Sequence, residues 1–273
     1  MCFVLDLNFM FKPNIATSRT GTFSRKPYSG SSRPSFKKSF SGTRNRSSGN
    51  RGNFGKGQYI NPLKFVNKAI ITEEVVVFKP EHLFSDFKIE EKLKTSIVTK
   101  GYKEPTPIQD KAIPHILRGE DVVGIANTGT GKTAAFLIPL INKILLNPNE
   151  KVLVVVPTRE LAIQIQDELH GFARGLNIFS VCSVGGAPIG PQIAGLRRNP
   201  QFVIGTPGRL KDLIERKLLN LAQFKTVVLD EADRMLDMGF ITDMREILKA
   251  TAKDRETLFF SATMTREAEA LVN

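Results

Sequence analysis

Past residue 72 the chain alternates short apolar runs with longer mixed segments. The runs lie at 121–126, 151–156, 178–184, 202–205, 225–230 and 256–261, and Lys-Val-Leu-Val-Val-Val at 151–156 is representative. Apolar stretches of that length suit strands buried on both faces. The intervening segments read as helices near 90–100, 107–118, 132–146, 159–173, 190–198, 207–217, 240–251 and 265–273. In the 159–173 segment, Leu161, Ile165, Leu169 and Phe172 fall on one face. Such alternation predicts an α/β fold, a mainly parallel sheet flanked by helices. The order of strands within the sheet is not written in the pattern.

Before residue 72 the rhythm is missing and the charge changes. Thirteen Lys or Arg and no Asp or Glu lie between Leu7 and Thr72, whereas beyond that point 26 basic residues balance 26 acidic ones. The net charge of +12 therefore resides in this segment. It is also rich in Ser, Gly and Asn, so it has little apolar area to offset the entropy of ordering, and residues 12–58 are expected to be disordered. The expected layout is a disordered basic tail over 1–60, a linker over 61–83 and a folded domain over 84–273. Phe23, Tyr28, Phe36, Phe40, Phe54 and Tyr59 punctuate the tail. Basic side chains neutralise phosphates and aromatic rings stack on unpaired bases. The tail thus reads as a non-specific RNA-binding segment or as an inert, solvated spacer.

Composition adds few limits. A hydrophobic share of 41% over 273 residues supports one large core. Cys2 and Cys182 are far apart, which fits a reduced, cytoplasmic setting, and His82, His115 and His170 form no local cluster. No apolar stretch approaches the roughly 18–20 residues of a membrane span. The apolar start, Met1–Phe11, has no basic leading segment and carries Asp6, so a secretory signal is not expected. Translation from Met10 is an alternative start.

Two segments carry chemistry. Residues 126–133 read Ala-Asn-Thr-Gly-Thr-Gly-Lys-Thr, after an apolar run and before a helix. Strand, Gly-rich loop and helix are the context of a phosphate loop, although Ala126 departs from the strict glycine pattern. Thr128, Gly129, Thr130 and Gly131 would wrap phosphate oxygens with backbone N–H groups, at a helix N-terminus that favours anions. Lys132 would reach the β- and γ-phosphates and Thr133 would offer a hydroxyl to Mg²⁺. Residues 226–233 read Thr-Val-Val-Leu-Asp-Glu-Ala-Asp, which places carboxylates at the end of a buried strand, where open α/β sheets bind ligands. Asp230 would hold Mg²⁺ and Glu231 would orient or deprotonate a water. Taken alone, such a pair is more often the start of a helix than a catalytic site. With the upstream loop and the flanking elements, an NTP site is the reading adopted.

The segment from about Phe84 to Asn273 resembles the first RecA-like domain of the DEAD-box ATP-dependent RNA helicases. Gly101-Tyr-Lys-Glu-Pro-Thr-Pro-Ile-Gln109 is similar to their adenine-reading Q motif, with Phe84 at the upstream aromatic position. Ala126–Thr133, Pro157–Ala162, Gly185-Gly186, Thr206–Arg209, Asp230–Asp233 and Ser261–Thr263 follow in the family's order. Asn127 and Tyr102 replace the usual Gln and Phe. The resemblance implies a RecA-like P-loop domain that binds ATP and Mg²⁺. Gln109 would pair with the adenine edge and Phe84 would stack on the base. Thr106 would tie this loop to the phosphate loop or simply cap a helix. The resemblance also implies RNA-backbone contacts from Pro157, Thr158, Arg159, Gly186, Thr206, Gly208 and Arg209, with little sequence specificity. Ser261 and Thr263 would bond toward Asp233 and couple nucleotide state to RNA grip.

No residues here correspond to the family's second RecA-like domain or its arginine-rich final motif. ATP binding and weak RNA binding are therefore expected of this chain, with little hydrolysis and no unwinding. Rival readings are a nucleotide-dependent RNA-binding adaptor, and a DNA helicase or other P-loop ATPase.

Overall fold

The computed structural model describes residues 3–6 and 78–272, which belong to one compact unit. The expected tail over 12–58, its aromatic residues and most of the 61–83 linker lie outside the described residues.

Seven parallel strands form one sheet: β1 (Phe3–Asp6), β2 (Val122–Ile125), β3 (Val152–Val155), β4 (Ser180–Ser183), β5 (Phe202–Gly205), β6 (Thr226–Leu229) and β7 (Glu256–Ser261). Their order is β1-β2-β7-β6-β3-β5-β4, and every neighbouring pair is parallel. The helices are α1 (Glu91–Thr99), α2 (Pro107–Leu117), α3 (Lys132–Leu146), α4 (Arg159–Phe172), α5 (Ile189–Leu196), α6 (Pro207–Glu215), α7 (Ala232–Asp237), α8 (Ile241–Ala250) and α9 (Arg266–Val272). Among the described residues no helix is long and apolar enough to cross a membrane.

The apolar runs become strands because both faces of the sheet are covered. Val152, Val154, Val228, Leu258 and Phe260 point into one core cluster, and Leu153, Val155, Val227, Leu229 and Phe259 point into the other. Alternate residues along each strand thus feed opposite cores, the period of two expected of a pleated chain.

Strand order gives the fold its functional layout. β2, β7 and β6 are neighbours, so the loops after them converge: residues 126–131, 261–263 and 230–233. β3, β5 and β4 are neighbours on the other side, which gathers residues 157–159, 206–209 and 185–186. Segments more than 100 residues apart become adjacent at the carboxyl ends of the strands, the ligand-binding edge of open α/β sheets.

One strand was not expected. Phe3–Asp6 was assigned to the disordered tail over 1–60, yet it pairs with β2 from Phe3↔Val122 to Asp6↔Ile125. The physical reason is that β2 leads into the phosphate loop and would otherwise present an unpaired backbone edge. Leu5 packs on the core, and the Phe3 ring lies 4.2 Å from the His115 imidazole, centroid to centroid.

Candidate active site

The candidate phosphate loop leaves β2 at Ala126, whose N–H donates to the carbonyl of Ser261 at 3.0 Å and so fastens the loop's start to the end of β7. The Thr130 hydroxyl donates to Asn127 O at 2.7 Å. Gly129 and Gly131 lie at φ +83° and +93°. Lys132 opens α3, is 7% exposed, and donates from Nζ to Ala126 O at 2.6 Å. Its ammonium therefore lies folded back along the loop. No side chain caps α3 and no acidic residue occupies its first turn, so the first N–H donors of that helix are free for an anion.

Gln109 joins this loop to the segment before α2. The side chain is 1% exposed; Oε1 accepts from Thr106 N at 3.0 Å, and Nε2 donates to Gly131 O at 3.1 Å. The link to the phosphate loop is therefore made by Gln109. Thr106 is the N-cap of α2, where it forms a capping box with Gln109, and it makes no side-chain bond to the candidate phosphate loop. A Cβ at Gly131 would press into the Gln109 amide nitrogen and lie 3.1 Å from Thr106 Oγ1. Gly131→Ala should thus destabilise the fold by about 1–2 kcal/mol, the usual cost of a left-handed non-glycine residue, and weaken nucleotide binding. Chemical denaturation and nucleotide titration of the same variant check both effects.

Phe84 departs from its anticipated role. It is only 5% exposed, with its ring edge-on to Phe87 at 6.0 Å and to Tyr102 at 5.9 Å. A ring enclosed this way supports the loop from beneath and has no open face for a base. Three supports of the same loop went unread in the sequence. Tyr102 Oη donates to Glu168 Oε1 at 2.9 Å, and Lys100 Nζ donates to Glu168 Oε2 at 3.0 Å, which ties the loop to α4. Burial, followed by the Glu168 carboxylate, pushes the Tyr102 hydroxyl well above its ordinary range. Asp110, 2% exposed, accepts from the backbone N–H groups of Glu81 and His82 and lies 2.7 Å from His82 Nδ1. Nothing in these residues' spacing announces partners 28 to 68 positions away.

At the end of β6, Asp230 is 3% exposed. Burial pushes its carboxyl up to about 6, and the nearby Lys132 cation opposes that shift. Asp230 Oδ1 accepts from Glu231 N at 2.9 Å. Glu231 has the left-handed backbone φ 49°, ψ 47°, unusual for a side chain with a Cβ and worth about 1–2 kcal/mol of strain. Strain of this kind concentrates at functional sites. Glu231 Oε2 lies 3.2 Å from Arg234 Nη1. Asp233 Oδ2 accepts from Ala262 N, Thr263 N and Thr263 Oγ1 at 3.1, 3.0 and 3.2 Å. Ser261 Oγ accepts from Asp233 N at 3.3 Å and donates to Thr263 O at 2.7 Å. The acidic quartet and the Ser-Ala-Thr segment are thus one bonded unit.

On the other half of the sheet, Pro157 is buried and Thr158 Oγ1 accepts from Leu161 N at 3.2 Å, capping α4. Arg159 is exposed beside Gly186, with Nη1 donating to its carbonyl at 3.4 Å. Thr206 Oγ1 accepts from Gly185 N at 3.4 Å, and Gly208 is exposed in the first turn of α6. Arg209 is already committed. Its Nη1 donates to Gln192 Oε1 at 2.8 Å, Nη2 donates to Ala187 O at 3.3 Å, and its side chain is 13% exposed. As it stands it pins α6 to the loop before α5.

Residues 106–271 match the model of the DEAD/DEAH box helicase family, a span that leaves out the supporting residues before it, Glu81, His82, Phe84, Lys100 and Tyr102. The chain belongs to that family. It is 49% identical over 185 residues to the ATP-dependent RNA helicase CshA of Limosilactobacillus reuteri, covering 67% of this chain and 37% of that protein. It is 50% identical over 182 residues to the ATP-dependent RNA helicase CshA of Listeria monocytogenes, covering 66% and 35%. The crystal structure of a DEAD box protein from the hyperthermophile Methanococcus jannaschii superposes with a TM-score of 0.67 at 45% identity, over 69% of this chain and 52% of that one. A hypothetical ATP-dependent RNA helicase from Sulfolobus tokodaii gives 0.63 at 41% identity, over 67% and 54%. The DEAD/DEAH box chain therefore spans little more than a third of the curated relatives' length and about half of the solved ones.

Proposed function

We propose that residues 84–273 are the nucleotide-binding half of an ATP-dependent RNA helicase. The observation that carries this reading is the convergence of Lys132, Asp230 and the Gln109–Gly131 bond on one loop at the carboxyl edge of the sheet. The residues fit ATP with Mg²⁺. The Gly131 cradle has no room for a Cβ, and α3 begins with uncapped donors. A bound Mg²⁺ would screen phosphate charge; Thr133 and Asp230 are the residues to hold it.

The chain's own groups would act in stages. Thr128–Gly131 and the first N–H groups of α3 receive phosphate oxygens, and Lys132 turns from Ala126 O toward them. Gln109 exchanges its bond to Gly131 O for the adenine edge, because both ends of its carboxamide are occupied by protein. Glu231, raised on its strained backbone, orients a water and accepts its proton. Thr158, Arg159, Gly186, Thr206 and Gly208 receive the RNA backbone; Arg209 joins them on releasing Ala187 O. Ser261 and Thr263, bonded to Asp233, carry nucleotide state toward that surface. Strand separation and fast hydrolysis need a second RecA-like domain, whose arginine toward the γ-phosphate is worth about 10³–10⁵ in rate. The cysteine usage supports a cytoplasmic setting.

The test is titration of this chain with Mg·ATP and with single-stranded RNA and DNA in competition. Binding of ATP, preference for RNA and little turnover support the reading. RNA-stimulated turnover at the rate of an intact two-domain relative would overturn the need for a second domain. Glu231→Gln should keep ATP binding and lower residual hydrolysis by about 10²–10⁴-fold, the usual contribution of a general base. If its hydrolysis is unchanged, Glu231 is not that base.

A further inference from the structure

From Leu169 to Lys211 the chain carries five Lys or Arg and no Asp or Glu. This acid-free run includes β4, the last strand of the sheet on that side. Gly185 and Gly186, in the RNA half of the site, follow the carboxyl end of β4. Phe179 precedes its amino end. Phe179 and Gly185 are six residues apart along extended chain, about 20 Å at about 3.3 Å per residue.

Phe179 is 47% exposed although the Arg198 guanidinium lies over its ring, 5.0 Å from the centroid. Its backbone is fixed on both sides. Its N–H donates to Gln201 Oε1 at 2.9 Å, and its carbonyl accepts from Gln201 N and Phe202 N at 3.0 and 3.2 Å. The ring is therefore held in place while part of it stays in water. Arg174, Arg197 and Arg198 are exposed, and none forms an ion pair among the described residues. A lone exposed aromatic needs no explanation. One that is backbone-fixed and covered by a guanidinium free of ion pairs, with Arg197 next to that guanidinium in sequence and Arg174 five positions before the ring, has the make-up of a base-stacking platform with charge for the adjoining phosphates.

We propose that Phe179 and Arg198, with Arg174 and Arg197, form a second contact for single-stranded RNA at the amino end of β4, reached by a strand that leaves the cleft at Gly185–Gly186. The proposal rests on the RNA-binding reading given above. It assigns the arginines to phosphates and the ring to one base, without sequence preference, since every base has a π-face.

The test uses the full chain and two oligouridylates, one filling only the cleft and one several nucleotides longer. Photo-crosslinking followed by trypsin should label the peptide Gly175–Arg197 with the longer RNA alone. Phe179→Ala should remove that label and weaken the longer RNA by about tenfold, within the range for loss of one base–aromatic stack, while leaving the shorter RNA unchanged. Arg197→Gln with Arg198→Gln should lower the salt slope for the longer RNA by about 1.4, roughly 0.7 per lost phosphate contact on a single strand. Thermal midpoints equal to that of the parent chain exclude misfolding. If both RNAs bind but Gly175–Arg197 is never labelled and Phe179→Ala changes neither affinity, the platform does not exist. If an acidic peptide displaces neither RNA yet binds at Phe179, the surface belongs to a protein and the proposal fails. Failure of the parent chain to bind either RNA would instead overturn the RNA reading itself.

Discussion

Lys132→Ala is expected to weaken Mg·ATP binding by about 100-fold, the equivalent of the roughly 3 kcal/mol at the upper end for a hydrogen bond from a charged donor. The ammonium is 7% exposed and bonded to Ala126 O at 2.6 Å, so it is held beside the phosphate loop before nucleotide arrives. Its loss has a second effect. Lys132 is the leading influence that opposes the burial of Asp230, so the variant's Asp230 should hold its proton to still higher pH. Nucleotide affinity should then fall further as pH is lowered toward 6, and more steeply than in the parent chain. Calorimetric titration at two pH values checks both. Affinity within threefold of the parent chain would remove the phosphate-loop assignment.

Asp230→Asn should act in opposite directions on stability and on binding. The folded carboxyl titrates at about 6 against an ordinary value of 3.8, so the folded state holds its proton more tightly than the unfolded chain does. Above about pH 6 both states are ionised and the fold carries the full penalty, on the order of 2–3 kcal/mol at 1.36 kcal/mol per pH unit. As pH falls from about 6 to below 3.8 the penalty fades to nothing. The asparagine has no such penalty, and its Oδ1 can still accept from Glu231 N. The variant's thermal midpoint should exceed the parent's by several degrees at pH 7.5, and the gap should narrow by pH 5. Mg²⁺-dependent nucleotide binding should meanwhile be lost. A midpoint below the parent's at pH 7.5 would show that the carboxylate is not held against its preference.

The strands were legible because apolar runs such as Val152–Val155 meet two covered faces, a local property of the chain. Their order was not, because it depends on which helix crosses which strand. Four-residue β1 escaped notice for a related reason: its partner lies about 120 positions downstream. Site residues divided along similar lines. The identities of Lys132, Asp230 and Asp233 could be read because loop chemistry and strand ends constrain them. The exposure of a side chain cannot be read from its type. Phe84 and Arg209 look available in the sequence and are enclosed or committed in the fold. Glu168, which holds Lys100 and Tyr102, looked like any charged residue on an amphipathic helix.

β6 lies between β7 and β3, and its end is fastened to both. The Asp230 amide donates to Val155 O at 3.0 Å on one side, and Asp233 is bonded to Ser261 and Thr263 on the other. On the function proposed above, the acidic quartet is a party wall, with the proposed nucleotide loops after β2 and β7 on one side and the proposed RNA loops after β3, β5 and β4 on the other. The quartet's own end lies one inter-strand spacing, about 4.8 Å, from β3 and from β7, so a shift there would pull on both neighbours through the bonds just named.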